Sequence, residues 1–432
     1  MIDNLNLRNK TFAIYGLGVT GISTLNYLKR SQVKKIEIWD DNISLRKEII
    51  KKFKLKEFSN SINKADYIII SPGINIQKSK FKKILLRNKN RIITDIDLFF
   101  LSKVSIKTIV VTGTNGKSTT CKLIEHLLKK NNKKVFLGGN IGKPILDLNI
   151  KKNSIIIVEA SSFQLSYSKF IKPDYALMLN IAKDHLDWHG GMKNYLKSKF
   201  NIFLKQDKKN FALIGDKKLS NIFIKNKYLG KLKFVPLTNL KKIEKKISNP
   251  YLLTGPNKEN ISFVYMLSKL LKIKKNIFLK SINSFKGLPH RYEIFYKKKK
   301  ITFINDSKAT SFESTKFALN DNKNIFWILG GLPKYGDTFK LKNLNKNIIK
   351  AFIIGRNTNY YERILKNKIN FSISKTLKKS LIQILKEIKK IKNQKSIVLL
   401  SPASASYDQF KNFEERGNQF KKLVKIYAPK YI

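Results

Sequence analysis

The sequence predicts an α/β protein with three domains, each built around a parallel sheet. Two observations support this prediction. Short apolar runs alternate with helical segments along the chain, which is the pattern of parallel-sheet units. The runs end in loops of Gly, Ser, Asp and Asn, and ligands collect beside such loops because they lie at the carboxyl ends of the strands. A chain of 432 residues is long enough for two to four domains with separate cores.

The apolar runs fall into three blocks. Residues 11–99 contain TFAIYG, KIEIWD and ADYIII. The pattern starts again with IKTIVVTG at residue 106 and continues through NSIIIVEAS and YALMLNIA to about residue 288. The last block holds ITFIND, IFWILGG, KAFIIG and SIVLLSP. We therefore expect domains at residues 1–97, 98–288 and 289–432.

The first block contains a glycine-rich turn after its first predicted strand. GLGVTG, residues 16–21, matches G-x-G-x-x-G, and Asp40 follows at about the distance expected of a ribose-binding acid. Alone, this pattern suggests an NAD enzyme. The glycines only allow a diphosphate to approach a helix N-terminus, however, so a UDP-sugar fits equally well.

The second block contains TGTNGKSTT, residues 112–120, which resembles a phosphate-binding loop. The strict pattern requires a further glycine where the chain has Val111. The loop nevertheless lies between an apolar strand and the helical pattern of KLIEHLLKK. Backbone amides of the loop, the helix N-terminus and Lys117 would bind a polyphosphate, and Ser118 can reach magnesium. We predict a nucleoside triphosphate site; the alternative is a coincidental turn.

Two further polar clusters follow strands of this block. Glu159 ends NSIIIVE, and Asp184 and His185 follow YALMLNIA. Magnesium prefers oxygen ligands and retains several waters, so a hydroxyl, a carboxylate, phosphate oxygens and one imidazole form a plausible set. Each residue alone is more often structural. Their common position after strands favours a metal site.

The third block supplies three loops with polar side chains. These are GLPHRYE (287–293), INDSKATS (304–311) and SPASASYDQFKNFEERG (401–417). Their arginine and lysine side chains suit phosphate or carboxylate, and their hydroxyls and amides suit a small polar substrate. Each loop taken alone is an ordinary one.

The formal charge of +59 would ordinarily suggest a nucleic acid or an anionic membrane. Only nine of the 88 basic residues are arginine, however, and the lysines are spread along the whole chain. We favour a compositional bias that fills solvated positions, and we expect Lys297–Lys300 to be an exposed loop; a binding role is the alternative. One cysteine, Cys121, and a polar N-terminus without a signal peptide predict a soluble, cytoplasmic protein.

The motifs together resemble those of the Mur ligases, the ATP-dependent amide-bond-forming enzymes of peptidoglycan precursor synthesis. The resemblance covers essentially the whole chain and rests on the order and spacing of GTNGKST, EASSFQL, NIAKDHLDWHG, GLPHRYE, NDSKAT and SPASASYDQFKNFEERG. GLGVTG, SPGI at 71–74, TDIDLF at 94–99 and the last motif are similar to the branch that adds D-glutamate. Family members carry the shortened phosphate loop, which accounts for Val111.

The resemblance implies a Rossmann-like N-terminal domain that holds UDP, a central P-loop-type ATPase domain with a parallel sheet, and a Rossmann-like C-terminal domain that binds the amino acid. It implies catalytic roles for Lys117, His185 and Lys199. ATP would contact Gly113, Thr114, Asn115, Gly116, Lys117, Ser118, Thr119, Asn257, Arg291 and Asp306. Two magnesium sites would involve Ser118, Glu159, His185 and Lys199, with Lys199 converted to a carbamate. The substrates would contact Val19, Thr20, Asp40, Gly73, Asn140, Ser161, Lys308, Thr310, Lys334, Ser406, Tyr407 and Phe413.

The implied reaction phosphorylates the L-alanine carboxylate of UDP-N-acetylmuramoyl-L-alanine and then joins D-glutamate to it, in a monomer without nucleic-acid partners. The chain departs from the family pattern at Asn42, Pro256 and Tyr407, where a basic residue, histidine and Leu or Phe are common. Three alternatives are a folylpolyglutamate-synthase-like ligase, an NAD oxidoreductase and a nucleic-acid-binding ATPase. The first two leave either GLGVTG or the central phosphate loop unexplained.

Overall fold

The structure is a computed structural model, and it describes residues 7–58, 60–102, 106–249, 251–253, 255–333, 345–391 and 394–432. Three sheets are found in these residues. Helices connect successive parallel strands in each of them. The predicted α/β class with parallel sheets is therefore confirmed.

The first sheet is parallel throughout its described strands. These are β1 (Thr11–Tyr15), β2 (Lys35–Trp39), β3 (Lys56–Glu57), β4 (Tyr67–Ile70) and β5 (Ile92–Ile93), in the order β3-β2-β1-β4-β5. The helices are α1 (Val19–Arg30), α2 (Ile43–Phe53), α3 (Lys82–Arg87) and α4 (Asp95–Ser102). β1 is central and its apolar residues are buried, as expected of a parallel strand covered on both faces.

The glycine-rich turn after β1 brings α1 close to the strand end. A Cβ on Gly21 would lie 1.8 Å from the carbonyl oxygen of Gly16, so the helix can approach only with glycine there. Gly16 has a φ of +94°, in the region that favours glycine. The turn therefore leaves the N-terminus of α1 at the carboxyl edge of the sheet.

The second sheet is also parallel in its described strands. They are β6 (Lys107–Thr112), β7 (Val135–Gly139), β8 (Ile155–Glu159), β9 (Tyr175–Met178), β10 (Phe211–Ile214) and β11 (Lys231–Phe234), in the order β11-β10-β9-β6-β8-β7. The helices are α5 (Lys117–Lys130), α6 (Ser162–Tyr167), α7 (Leu186–His189), α8 (Met192–Phe200), α9 (Lys217–Lys225), α10 (Lys241–Glu244), α11 (Gly255–Leu270) and α12 (Lys275–Asn283). β6 lies between β8 and β9, so the loops after these three strands meet at one edge.

The third sheet begins with a hairpin. Its described strands are β12 (Glu293–Lys298), β13 (Ile301–Asn305), β14 (Ile325–Gly330), β15 (Ile348–Ile354), β16 (Phe371–Lys375) and β17 (Ser396–Leu400), in the order β12-β13-β17-β14-β15-β16. The helices are α13 (Phe312–Asn320), α14 (Thr358–Leu365), α15 (Leu377–Lys390) and α16 (Phe413–Tyr431). β12 is antiparallel to β13 and the other pairs are parallel. The expectation that Lys297–Lys300 is a loop was wrong for Lys297 and Lys298, which belong to β12.

The chain divides into two compact units. The first unit is Met1–Ser248 with Lys258–Phe285, and it contains the first two sheets. The second unit is Asn249–Asn257 with Lys286–Ile432, and it contains the third sheet. The domain limits at residues 97 and 288 remain predictions. Within the described residues, we find no helix that combines the length and apolarity needed to cross a membrane.

The first two sheets share one hydrophobic core. Buried Leu17, Leu25 and Leu28 of the first sheet's layer belong to the same cluster as Ile145 and Leu146 beside the second sheet. Polar contacts add to this packing. The Asp97 carboxylate accepts hydrogen bonds from the Ser168 hydroxyl at 2.7 Å and from the backbone amides of residues 169 and 170.

Candidate active site

The loop between β6 and α5 has the geometry of an anion-binding turn. Gly116 is the N-cap of α5 with a φ of +84°, and a Cβ there would lie 2.2 Å from Asn260 Oδ1. Gly113 has a φ of +153°, and its Cβ would meet Leu179 at 3.0 Å. Both glycines of TGTNGKSTT are therefore required by the backbone. The first amides of α5 point out of the helix beside them, where they can donate to phosphate oxygens.

Asn180 holds the phosphate loop in place. Its backbone carbonyl accepts from Thr114 N and its Oδ1 from Asn115 N, both at 2.9 Å. Its Nδ2 donates to Glu259 Oε2 at 3.0 Å. Burial raises the pKa of Glu259 to about 7, with the Asn180 hydrogen bond acting in the opposite direction and Asp216 adding to the rise. Sequence reasoning missed Asn180, although it is the first polar residue after the apolar run YALML.

Two lysine amines meet at one carbonyl oxygen of the phosphate loop. Lys117 Nζ donates to Gly113 O at 2.8 Å and to Thr114 O at 2.9 Å. Lys199 Nζ donates to the same Gly113 O at 2.8 Å. Lys199 lies on α8, next to Tyr195, whose hydroxyl is 2.9 Å from Thr114 Oγ1. The structure thus brings the predicted Lys199 to the phosphate loop.

The surroundings of Lys199 disfavour its charged form. The side chain is 1% exposed, and its pKa lies well below the usual value because of burial first and the neighbouring Lys117 second. The carboxylates of Asp184 and Glu159 oppose this shift. The lowered pKa shifts the protonation equilibrium of Lys199 towards the neutral amine, which is the nucleophilic form of lysine.

Glu159 has the properties expected of a metal ligand. It ends β8 and is buried, and its Oε1 accepts from Asn140 Nδ2 at 2.8 Å. Its Oε2 is buried with no hydrogen-bond partner in the described part of the chain. A carboxylate oxygen left in this state is suited to a cation. Ser118 lies in the first turn of α5, the helix that follows β6, and β6 is the strand next to β8. Its hydroxyl is the second candidate ligand.

No group of three or more His, Cys, Asp or Glu side chains that could hold a metal occurs among the described residues. The predicted set of Ser118, Glu159 and His185 contains one carboxylate, so phosphate oxygens and water would have to complete it. That is the usual environment of magnesium in a phosphoryl-transfer site. The residues present therefore fit this ion.

His185 lies at the start of α7 in a left-handed conformation with a φ of +53°. Its Nε2 is 3.3 Å from Asp184 Oδ2, and its ring centroid is 4.7 Å from that of Phe163. His189, one turn later, is buried against Ser162 at 3.0 Å, and burial lowers its pKa to about 4. The second histidine is thus a neutral packing residue, and the first is the more exposed of the two.

Some of the residues predicted to contact the UDP-bearing substrate are open to solvent, whereas others form hydrogen bonds within the protein. Val19, which is 77% exposed, is the first residue of α1, and Gly73 lies on the loop after β4, the strand next to β1. Thr20 follows Val19 in α1 and is half-buried. Asp40 accepts from Leu17 N at 2.6 Å and from Asn42 N at 2.8 Å. Its carboxylate therefore braces the glycine-rich turn.

Ser161 and Asn140 are likewise engaged within the protein. Ser161 is the N-cap of α6 and forms a reciprocal capping box with Gln164. Asn140 holds Glu159 through its side chain and also donates its backbone amide to Glu159 O at 2.8 Å. Both residues lie at the carboxyl edge of the second sheet, where they position neighbouring groups.

In the second unit, Asp306 follows β13 and is buried. Its carboxylate accepts from Ser401 Oγ at 2.8 Å and from Tyr292 N at 3.0 Å. Burial raises its pKa to about 7, while these hydrogen bonds and the charges of Arg291 and Arg416 act in the opposite direction. A buried carboxyl poised near neutrality is characteristic of functional sites.

The remaining predicted residues of the third block lie mainly on two loops. Lys308 Nζ is 3.9 Å from the centre of the Phe413 ring. Ser406 is buried, Thr310 half-buried, and Tyr407 72% exposed. Asn257 is buried, and its Nδ2 donates to Tyr251 O at 2.9 Å. Lys334 lies outside the described residues.

Comparisons with known proteins agree with this arrangement. Residues 10–93 match the Mur ligase MurD-like N-terminal domain, and residues 111–266 match the Mur ligase middle domain. A relative from Wolbachia sp. subsp. Brugia malayi (strain TRS) is 34% identical over 96% of this chain and 95% of its own. The chain therefore belongs to the Mur ligase family.

The relatives narrow the class further. The Wolbachia protein is named UDP-N-acetylmuramoylalanine--D-glutamate ligase. Two further relatives carry the same name. The one from Buchnera aphidicola subsp. Schizaphis graminum (strain Sg) is 37% identical over 97% of this chain and 99% of its own length. The one from Rickettsia felis is 34% identical over 95% of this chain and 96% of its own length. Among solved structures, a MurF ligase from Thermotoga maritima in complex with ADP has a TM-score of 0.60 at 16% identity, covering 98% of this chain and 99% of that one. This last likeness concerns the fold.

Proposed function

We propose that this protein is an ATP-dependent ligase that joins D-glutamate to UDP-N-acetylmuramoyl-L-alanine in the synthesis of peptidoglycan precursors. The observation that carries the proposal is the phosphate loop, where Lys117 and the buried Lys199 converge on the Gly113 carbonyl. The substrates are inferred from the names of relatives that match this chain over nearly their whole length.

The reaction has to make a carboxylate electrophilic. The terminal phosphoryl group of ATP is transferred to the L-alanine carboxylate, which gives an acyl phosphate and ADP. The amine of D-glutamate then attacks the acyl carbon, an amide bond forms, and phosphate leaves with the C–O bond electrons. The obstacle to the first step is the approach of two anions, and Lys117 with the loop amides offsets that charge where it develops.

Ser118, Glu159 and His185 would hold magnesium. Magnesium there supplies positive charge to phosphate oxygens. The buried Glu159 Oε2 without a protein partner in the described residues supports this assignment. Asn140 donates to the other oxygen of Glu159, Oε1, so Oε2 is the oxygen that would be available to the ion.

We also propose that Lys199 is carboxylated and contributes to a second magnesium site. Its neutral amine would add to CO₂ and release a proton, giving a carbamate anion. A free ammonium beside Lys117 repels both the other lysine and a metal ion, whereas the carbamate removes that repulsion. The low pKa of Lys199 supports the proposal because only the unprotonated amine reacts.

The carbamate can be tested with Lys199→Ala. We expect activity to be lost and partly recovered when a short-chain carboxylate is added, since the added anion replaces the carbamate. Enzyme exposed to ¹³C-bicarbonate should show a carbamate carbon signal that Lys199→Ala lacks. Lys197→Ala, two residues away on α8, is the control and should behave like wild type. Full activity of Lys199→Ala without the added anion would refute the proposal.

The other predicted residues complete the proposed binding sites. Thr114, Asn115, Thr119, Asn257, Arg291 and Asp306 would contact the nucleotide. Val19, Thr20, Asp40, Gly73, Asn140 and Ser161 would contact the UDP-bearing substrate directly or through the residues they hold. Lys308, Thr310, Lys334, Ser406, Tyr407 and Phe413 would surround D-glutamate, a dicarboxylate that requires a cation and hydroxyl donors.

The function is tested by measuring phosphate release with each muramoyl precursor crossed against D-glutamate, L-glutamate, L-lysine, meso-diaminopimelate and D-alanyl-D-alanine. Release only with UDP-N-acetylmuramoyl-L-alanine and D-glutamate is expected. A different productive pair would assign the protein to another ligase. Stimulation of ATP hydrolysis by DNA or RNA, lost steeply as salt rises, would instead favour a nucleic-acid-dependent ATPase.

We further infer a cytoplasmic monomer without a nucleic-acid partner. The single, buried Cys121 and the scarcity of arginine among the basic residues support this inference. Light scattering during gel filtration, at low and at moderate salt, should give the mass of one 50.1 kDa chain. A mass of two chains at both salt concentrations would contradict the monomer.

A further inference from the structure

Arg416 is a buried charge in the second unit. It lies in the first turn of α16 and is 1% exposed. Burial lowers the pKa of its guanidinium to about 10, although Asp408, Tyr361 and Asp306 act to raise it. None of the ion pairs among the described residues involves Arg416, and its Nη1 has no hydrogen-bond partner there. Burying a guanidinium in this way is unfavourable, so stability alone does not explain the residue.

The guanidinium joins two loops. Its Nε donates to Ser307 Oγ at 3.0 Å and its Nη2 to Ser307 O at 2.8 Å. The same Nη2 donates to Ser404 O at 3.0 Å. Ser307 follows β13 and Ser404 follows β17, and these two strands are parallel neighbours in the third sheet. Arg416 therefore fixes the distance between two loops that leave the same sheet edge side by side.

These two loops carry the described residues that we assign to D-glutamate. Lys308 and Thr310 follow β13, whereas Ser406, Tyr407 and Phe413 follow β17. The loops also contact each other directly. Ser307 Oγ donates to Phe413 O at 2.8 Å, and Lys308 Nζ lies over the Phe413 ring. The Lys308 cation and the Ser406 hydroxyl thus stand on different loops, and either loop alone supplies only part of the site.

We infer that Arg416 is a positioning residue for the amino acid. It holds the β13 and β17 loops at one separation, so that Lys308 and Ser406 meet the two carboxylates of D-glutamate together. The inference rests on the proposed function, and it adds a residue that acts through the binding groups without touching the substrate. Pre-organised loops bind more tightly because less ordering is required when the ligand arrives.

The geometry requires arginine and not only a positive charge. One planar guanidinium reaches a hydroxyl and two carbonyls of different loops at once, whereas an ammonium on a flexible stem cannot span them in a fixed plane. Arg416→Lys keeps the charge and much of the volume but removes the bridge. It is therefore the informative substitution.

The experiment compares Michaelis constants for the three substrates in Arg416→Lys. We expect the KM for D-glutamate to rise about tenfold or more, because the three charge-assisted hydrogen bonds from the guanidinium to the two loops are lost. The KM values for ATP and the UDP-bearing substrate should stay within about twofold, and kcat at saturating D-glutamate should be largely kept. Arg363→Lys, at an exposed position on α14 of the same unit, is the control.

A second variant covers the case in which Arg416→Lys folds poorly. Ser307→Ala removes the hydroxyl that accepts from Arg416 and donates to Phe413 O. It should produce a smaller rise, again confined to D-glutamate. The double variant should be little worse than Arg416→Lys alone, since both changes break one network.

The outcomes separate this inference from the proposed function. If wild type is inactive with D-glutamate, the proposed function fails. If wild type is active but both single variants have an unchanged KM for D-glutamate, the inference about Arg416 fails. A uniform loss of kcat with all three KM values unchanged, accompanied by a lower melting temperature, would reduce Arg416 to a folding role and also overturn it.

Discussion

At the scale of single residues, the phosphate loop supplies hydrogen-bond acceptors to its own lysine. Lys117 donates to two loop carbonyls, Gly113 O and Thr114 O. Its flexible stem allows the ammonium to exchange these acceptors for phosphate oxygens without movement of the backbone. The contacts of Asn180 with Thr114 N and Asn115 N hold the backbone of the loop independently of this side chain.

Lys117→Ala should lower kcat at least about a hundredfold, because a preorganised charge is removed from the phosphoryl group in the transition state. The dissociation constant of the UDP-bearing substrate should change little, since its UDP group is assigned to the first sheet and Lys117 acts on ATP at the second. Calorimetry and steady-state kinetics on the same preparation measure both. Lys122→Ala, on the same helix and paired with Glu125, is the control. A loss of UDP-substrate affinity as large as the loss of activity would contradict separate sites.

Asp306 illustrates a residue retained at a cost in stability. Its folded-state pKa is raised from 3.8 to about 7, so the folded protein binds this proton more tightly than the unfolded chain. The destabilising effect of Asp306 on the folded protein is absent at pH values below the pKa of the unfolded state. It is complete at pH values above the pKa of the folded state. Stability should therefore fall as pH rises from about 4 to about 7, by up to about 4 kcal/mol from this group.

Asp306→Asn should remove that dependence. We expect the variant to gain free energy of unfolding relative to wild type at pH 8, and to gain less at pH 5, where the wild-type carboxyl is mostly protonated. The amide presents a donor where Asp306 has an acceptor, which reduces the gain. Denaturant unfolding at both pH values measures the difference, with Asp321→Asn as the exposed control. An equal difference at both pH values would show that Asp306 does not titrate in this range.

At the scale of elements, the sequence predicted most of the buried strands, although the short buried strands β5 and β10 were not among the predicted runs. TFAIY, KIEIW, KTIVVT, IIIVE and SIVLL are apolar because helices or neighbouring layers cover them, and all are strands. The edge strands β3 and β11 were not predicted. Their residues KE and KLKF are mostly exposed or half-buried, and pairing with a neighbour defines these strands. β12 was partly missed for the same reason.

The candidate site was predictable where a motif fixes the backbone. Gly113, Gly116 and Lys117 follow from the strand, loop and helix pattern alone. The roles of Asn180 and Arg416 could not be predicted in this way, because they depend on contacts with residues 65 and 109 positions away in sequence. Such contacts are created by the order of strands in the sheet, which local patterns do not encode.

The glycines of the N-terminal turn offer a matched pair. In a helix, Gly→Ala ordinarily stabilises by up to about 1 kcal/mol. At Gly21, however, the new Cβ would overlap the Gly16 carbonyl, so Gly21→Ala should instead lose about 2 kcal/mol. Gly18→Ala should change stability much less, since nothing lies within 4 Å of its Cβ. Thermal unfolding measures both. An unchanged melting temperature for Gly21→Ala would mean that α1 can move away from β1.

At the scale of the whole molecule, the charge is the dominant feature. With 88 basic and 29 acidic residues, most positive charges have no acid available to pair with. The ion pairs that do form are largely at the surface, where each contributes little. Repulsion among the lysines should therefore reduce the stability of the compact state.

Raising the salt concentration should stabilise the protein. Between about 10 mM and about 0.15 M sodium chloride, the Debye length falls from about 30 Å to about 8 Å, which screens repulsion across the molecule. We expect the melting temperature to rise over this range and then to level off. Thermal unfolding at fixed pH is the measurement. A melting temperature that falls with salt would mean that specific ion pairs outweigh the general repulsion.

The core shared by the first two sheets determines how such a chain can be recombined. A chimera with a relative joined near residue 97 would place Leu25 and Leu28 of one parent against Ile145 and Leu146 of the other, and would divide the contacts of Asp97 with residues 168–170. A junction at Phe285, between the compact units, leaves that core with a single parent. The pair of sheets is therefore the natural module for exchange, and substitutions on its two sides should be inherited together.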